Sequence, residues 1–185
     1  MKTTLYLVRH AHSVYTSDEY ERPLSRQGFE DAIKVADLLQ NEKIDQITSS
    51  PYRRAKQTVE VLAGSLGIEI EVYENLKERR LALQSVDNFE SSIEAVWRDE
   101  QFAWPGGESN AQAQKRGIAA TEMLLQKYRG QSIVVGTHGN LMVLIMNHYD
   151  QQYDYNFWKK LAMPDIYQLT FEDHQLTDCR RIWVK

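Results

Sequence analysis

The sequence predicts an α/β fold: a three-layer α/β/α sandwich around a mostly parallel, mixed central sheet. Three observations point there. Short strand-like runs at 5–8, 46–49 and 132–136 alternate with stretches of helical period, the pattern of parallel strands joined by helical crossovers. Each run ends in a polar or basic loop that leads into a helix, as at the carboxyl edge of a parallel sheet. Two further strands, 165–171 and 176–184, flank a turn at Asp173-His174, and such a closing hairpin makes the sheet mixed. The 185 residues suffice for a single domain, taken as 1–185, with a sizeable core.

In chain order, Leu5-Tyr6-Leu7-Val8 reads as a buried strand. A polar loop follows over 13–23. Ser25 is a good N-cap for a helix whose apolar positions Phe29, Ala32, Ile33, Ala36 and Leu39 keep the 3.6 period. After the strand at 46–49, Ser50-Pro51-Tyr52 begins a helix, with Pro51 near the first turn, where its missing N–H is harmless. Ala55, Thr58, Val59 and Leu62 share one face of that helix. Ile68, Ile70 and Val72 alternate with Glu69 and Glu71 as a half-exposed strand. The charged stretch 75–86 resists assignment. Phe89, Ile93, Val96 and Trp97 form a helical face within 88–100. Trp104-Pro105-Gly106-Gly107 breaks the chain before a long helix from 108 or 109 to 128, carrying Ile118, Met123, Leu124 and Leu125. The strand at 132–136 leads into a helix with Val143, Leu144 and Ile145.

Composition narrows the function classes. A 42% hydrophobic, 26% charged chain is ordinary for a soluble globular protein. The formal net charge of −4 gives no electrostatic reason to bind nucleic acid or an anionic membrane, so any phosphate site has to be local. A single cysteine, Cys179, excludes an internal disulfide and a multi-cysteine metal site. The first strand follows Met1-Lys2 directly, leaving no room for a signal peptide, and the apolar run 141–146 is too short to span a bilayer. A cytoplasmic location is the expectation. Oligomeric state has no marker in the sequence.

The chemistry gathers where strands meet helices. Arg9-His10 ends the first strand, Arg53-Arg54 follow the second, and Thr137-His138-Gly139-Asn140 follows the run at 132–136. If these strands are parallel neighbours, the basic groups converge at one sheet edge, where helix N-termini favour an anion. Arginine clamps phosphoryl oxygens in bidentate fashion, and a neutral imidazole can attack phosphorus. Gly139 lets backbone approach a ligand with no Cβ in the way.

These residues carry a resemblance. Leu5-Tyr6-Leu7-Val8-Arg9-His10-Ala11 resembles the signature of the histidine phosphatase superfamily, also called the phosphoglycerate mutase-like family. Thr48-Ser49-Ser50-Pro51-Tyr52-Arg53-Arg54-Ala55 and Val134-Val135-Gly136-Thr137-His138-Gly139-Asn140 are similar to its further elements. Pro23-Leu24-Ser25-Arg26-Gln27-Gly28 and Pro105-Gly106-Gly107-Glu108-Ser109 match secondary patterns in the right order. The resemblance implies that His10 is the nucleophile that becomes phosphohistidine. It implies that Arg9 and Arg54 hold the transferring phosphoryl group, and that His138 hydrogen-bonds it. Leu76-Lys77-Glu78-Arg79 resembles the mutase-type segment that carries the proton donor, which makes Glu78 the acid and leaves Glu108 as the next candidate. Ala11 stands where Gly is commoner. Thr16 stands where many members have an Asn that contacts phosphate, and Thr can still donate a hydrogen bond.

The implied activity is that of a metal-independent phosphomonoester hydrolase, without cofactor, working through phosphohistidine on a small phosphorylated metabolite. Cofactor-dependent phosphoglycerate mutase is one alternative; a non-catalytic domain that binds a phosphorylated ligand is another. A mutase must shield its phosphohistidine from water. Only a short stretch, mostly one helix, separates Glu78 from Gly106-Gly107, and the chain stops at Lys185 soon after the last strand; both features favour the hydrolase. Arg79 and Arg80 either bind a second anionic group on the substrate or belong to a solvated charge run. His12, His148 and His174 read as loop or surface residues, and Trp97, Trp104, Trp158 and Trp183 as core or pocket wall.

Overall fold

The computed structural model describes residues 1–184; Lys185 lies outside the described residues. Strands β1 (Lys2–Arg9), β2 (Gln46–Ser49), β3 (Ile70–Val72), β4 (Ser132–Thr137), β5 (Asp165–Glu172) and β6 (Gln175–Arg181) form one sheet in the order β3-β2-β4-β1-β5-β6. The first four of that order run parallel; β5 pairs antiparallel with β1, and β6 antiparallel with β5. Helices α1 (Arg26–Leu39), α2 (Arg53–Leu66), α3 (Phe89–Arg98), α4 (Asn110–Lys127), α5 (Gly139–Tyr149) and α6 (Tyr155–Lys160) surround it. The mixed α/β sandwich expected from the sequence is what the chain forms.

The alternation of β1 builds both outer layers. Leu5 and Leu7 pack with Ile133, Val135, Leu169 and Phe171 against Leu124 of α4 and Leu141 of α5. Tyr6 and Val8 face the other way, with Ile47 and Val134, onto Val35 and Leu39 of α1 and Val59 and Leu62 of α2. A strand with both faces covered reads as a continuous apolar run, and residues 5–8 are all buried.

Local signals set most helix ends. Ser25 caps α1 by accepting from Gly28 N. Ser109 and Gln112 form a reciprocal capping box on α4. Several sequence expectations are corrected. Phe29 and Ile33 are 43% and 51% exposed; the buried face of α1 runs through Ala32, Val35, Ala36 and Leu39, because α2 and the sheet select the stripe one step away. The helix expected to begin at Ser50-Pro51-Tyr52 begins at Arg53, with Tyr52 as its N-cap and Pro51 just before it. Phe89 is exposed, whereas Ile93 and Val96 are buried. β6 ends at Arg181 instead of 184, because Ile182 and Trp183 both turn to donate to Ile166 O and Trp183 is buried under the sheet. α6 has no counterpart in the sequence reading: at 6 residues with none buried, it is too short to show a period. No helix among the described residues is long and apolar enough to cross a membrane.

Candidate active site

In the sheet order, β4 lies between β1 and β2. The carboxyl ends of these three parallel strands are therefore adjacent, as the sequence reading required. Backbone bonds stitch the edge: His10 N donates to Thr137 O (3.0 Å) and Ser50 N to Gly136 O (2.8 Å). His10, Arg54 and His138 are buried there, and the two imidazole centroids stand 5.2 Å apart.

Hydrogen bonds decide which nitrogen of each ring is available. His10 Nδ1 lies 2.8 Å from Ala11 O. A carbonyl only accepts, so Nδ1 carries the proton and Nε2 presents a lone pair. Burial, reinforced by the Arg54 charge, lowers the His10 pKa from 6.5 to about 3, which keeps the ring neutral and nucleophilic. For His138, Nε2 lies 2.7 Å from Ser50 Oγ. That oxygen accepts from Tyr52 N at 3.1 Å, and the one acceptor its own O–H meets is Nε2, so it donates there and leaves Nδ1–H as the ring's free donor. His138 Nδ1 is buried without a partner in the chain, and burial holds this ring neutral as well. Ser50 escaped the sequence reading, although it sits inside a quoted motif; its role depends on a contact across 88 residues.

The arginines are held by part of their donors and leave the rest open. Arg9 Nη1 donates to Leu161 O (3.1 Å) and Ala162 O (3.0 Å), while its buried Nε has no partner. Gly139 is needed for this placement: a Cβ there would come within 2.9 Å of Arg9 Nε. Its missing side chain thus makes room for the arginine, where the sequence reading had a ligand. Arg54 Nε lies 3.3 Å from His10 Nε2, and its two terminal nitrogens bind Glu19 O (2.9 Å) and Glu19 Oε2 (3.0 Å). Arg22 pairs with the other carboxylate oxygen of Glu19 at 2.7 Å. Glu19 and Arg22 come from the 13–23 loop, and no periodicity or motif marked them.

Glu78 accepts from Arg79 N (2.8 Å) and Leu141 N (3.0 Å) on Oε1, and from Asn140 N (3.0 Å) on Oε2. It is docked on the N-terminus of α5, beside His138. Its charge acts on Arg9, Arg54 and Arg79. Arg79 is 3% exposed, and all three of its guanidinium nitrogens lack a partner in the chain. Arg80 next to it is exposed.

The remaining sequence candidates lie elsewhere. Thr16 donates to Asp18 O at 2.9 Å within its own loop. Glu108 is engaged by Arg116 through both carboxylate oxygens (2.7 and 2.8 Å), which removes it as an alternative acid. His12 is exposed and bonded to Ser25 Oγ. A cavity of about 600 Å³ is lined by residues 82–88 together with Ser91, Ser92 and Trp104–Gly106; none of the five catalytic candidates borders it.

A parallel sheet edge that gathers two neutral imidazoles, buried arginines and unpartnered N–H donors has the chemistry to hold a phosphoryl group. The chain belongs to the histidine phosphatase superfamily (branch 1), whose family model matches residues 5–180. A Salmonella choleraesuis protein named "Probable phosphoglycerate mutase GpmB" is 26% identical over 148 residues, covering 73% of this chain and 69% of its own. Mycobacterial glucosyl-3-phosphoglycerate phosphatase has the same fold at a TM-score of 0.79 and 20% identity, over 99% of both chains. So does phosphoserine phosphatase of Entamoeba histolytica, solved with phosphoserine, at a TM-score of 0.77 and 22% identity, over 96% of both.

Proposed function

We propose that this protein is a phosphomonoester hydrolase of the cytoplasm, acting through phosphohistidine on a small metabolite that carries a second anionic group. The observation that supports it most is the neutral His10, protonated on Nδ1, whose Nε2 lone pair accepts from Arg54 Nε at 3.3 Å, a donor that a phosphoryl oxygen would take over. In the first step Nε2 attacks phosphorus, the P–O bond to the leaving group breaks, and Glu78 gives that oxygen its proton. Arg9, Arg54 and His138 Nδ1–H stabilise the charge on the equatorial oxygens. In the second step water attacks the phosphohistidine, the P–N bond breaks, and Glu78 takes the proton back. The positive charge of the reaction comes from the arginines, and no metal takes part in these steps. Arg79 carries the substrate class. A buried guanidinium without hydrogen bonds is costly, and a carboxylate or second phosphate would satisfy it.

Phosphoglycerate mutase is the second reading, favoured by the buried Arg79 beside Glu78 and by the GpmB relative. One experiment separates the two. The protein is incubated with ³²P-labelled phosphomonoesters, including 3-phosphoglycerate, with and without 2,3-bisphosphoglycerate. Inorganic phosphate should be released and His10 transiently labelled; His10→Ala should lose both, with turnover down at least about 10³-fold. Interconversion of 2- and 3-phosphoglycerate with little phosphate released overturns the hydrolase. Binding of phosphate esters with no labelling or turnover overturns both enzymes.

A further inference from the structure

Arg116, on α4, is absent from every motif, yet it is bonded more completely than any other arginine. Its Nη1 donates to Asn75 O and Lys77 O, both at 2.8 Å. Its Nη2 donates to Glu78 O (3.2 Å) and Glu108 Oε2 (2.8 Å), and its Nε to Glu108 Oε1 (2.7 Å). A guanidinium has five N–H donors, and all are used. The side chain is only 15% exposed.

We infer that Arg116 is the positioning residue for the proton donor: it holds the backbone of 75–78 so that the Glu78 carboxyl meets the leaving oxygen. This rests on the reading of Glu78 as the acid. Beyond a single 3-10 turn at Glu74–Leu76, the stretch from 77 to 88 has no helix or strand, so its carbonyls need partners other than a ladder. Arg116 supplies them on the backbone side of Glu78, while Asn140 N and Leu141 N hold the carboxylate side. The acid is thus clamped between α4 and α5. Glu108 extends the clamp: its carboxylate pairs with Arg116, and its N–H donates to Arg80 O at 2.7 Å. A lysine cannot replace the planar fork, because one ammonium has three donors on a flexible stem.

The test compares two substrates on the same enzyme preparation. p-Nitrophenyl phosphate needs little protonation of its leaving group; an alkyl phosphate such as glycerol phosphate needs it fully. The ratio of their kcat/KM values cancels any inactive or unfolded fraction. Glu78→Gln should raise the ratio in favour of p-nitrophenyl phosphate. Arg116→Met and the charge-retaining Arg116→Lys should raise it too, by about tenfold to 100-fold, the effect of a misplaced catalytic group. The double variant Glu78→Gln with Arg116→Met should add nothing to Glu78→Gln alone. A wild-type ratio in both Arg116 variants, with the ratio raised in Glu78→Gln, overturns the inference and leaves the acid in place. An unchanged ratio in Glu78→Gln overturns the acid assignment and this inference with it.

Discussion

His10 and His138 have the same side chain and opposite duties in the proposed reaction, and one hydrogen bond to each ring decides which. Ala11 O accepts from His10 Nδ1–H and so leaves the lone pair on Nε2, facing Arg54; Ser50 Oγ caps His138 Nε2 and leaves Nδ1 as donor. Ser50→Ala removes that cap and frees His138 to adopt the other tautomer, with its proton pointing away from the phosphoryl group. Loss of such a supporting contact lowers activity by about 10–100-fold. His138→Ala should cost more, about 10²–10³ in kcat, as for a transition-state donor. Steady-state kinetics of both variants checks the order; equal losses would mean that the tautomer is immaterial. Arg9, His10, Arg54 and His138 were legible in the sequence because strand ends and helix starts carry them. Ser50 and Arg116 were not, since their roles exist only through contacts at long sequence separation.

At the scale of elements, the 13–23 loop does more than connect β1 to α1. It delivers Glu19 to Arg54 and Arg22 to Glu19. If Arg54 binds phosphate as proposed, a carboxylate on it competes with the incoming anion. Glu19→Gln keeps the hydrogen-bonding shape and removes the charge. Inhibition by inorganic phosphate should then tighten by about fivefold or more, the effect of one charge at ~4 Å even in a water-like medium. Weaker inhibition in Glu19→Gln would show that Glu19 instead holds Arg54 in place for the phosphate. The sequence could not reveal this loop, because its conformation follows from contacts with α2 and not from a period. The segment around Glu78 is similar: its shape is set by Arg116 and by Thr137 Oγ1, which donates to Leu76 O at 2.8 Å.

For the whole molecule, the buried neutral imidazoles link the site to stability. The folded His10 binds its proton only near pH 3, against 6.5 when unfolded, and His138 is shifted in the same direction. Between these values the unfolded chain holds more protons, so stability rises with pH across that window. The contribution is fully present above about pH 6.5 and is lost as the pH falls toward 3. Urea denaturation at intervals across this range should show His10→Ala with a shallower decline than the wild type; parallel curves would mean that the ring is not buried neutral.

The sequence by itself determined the α/β architecture, through strand-like runs followed by helical periods and two closing strands. It also marked two arginines and two histidines at strand ends, which converge because β1, β4 and β2 are parallel neighbours in the folded sheet. Tertiary structure alone decided the rest. Which stripe of α1 is buried depends on α2, so Phe29 and Ile33 came out exposed. Whether Arg79 is a surface charge or a buried one without a partner depends on how the irregular 77–88 segment folds over the site. Glu78 and Glu108 were named from the sequence, but what each binds, and that Arg116 joins them, depends on hydrogen bonds between residues as many as 63 positions apart. Periodicity reports the faces of regular elements; it carries no information on how irregular chain is held between them.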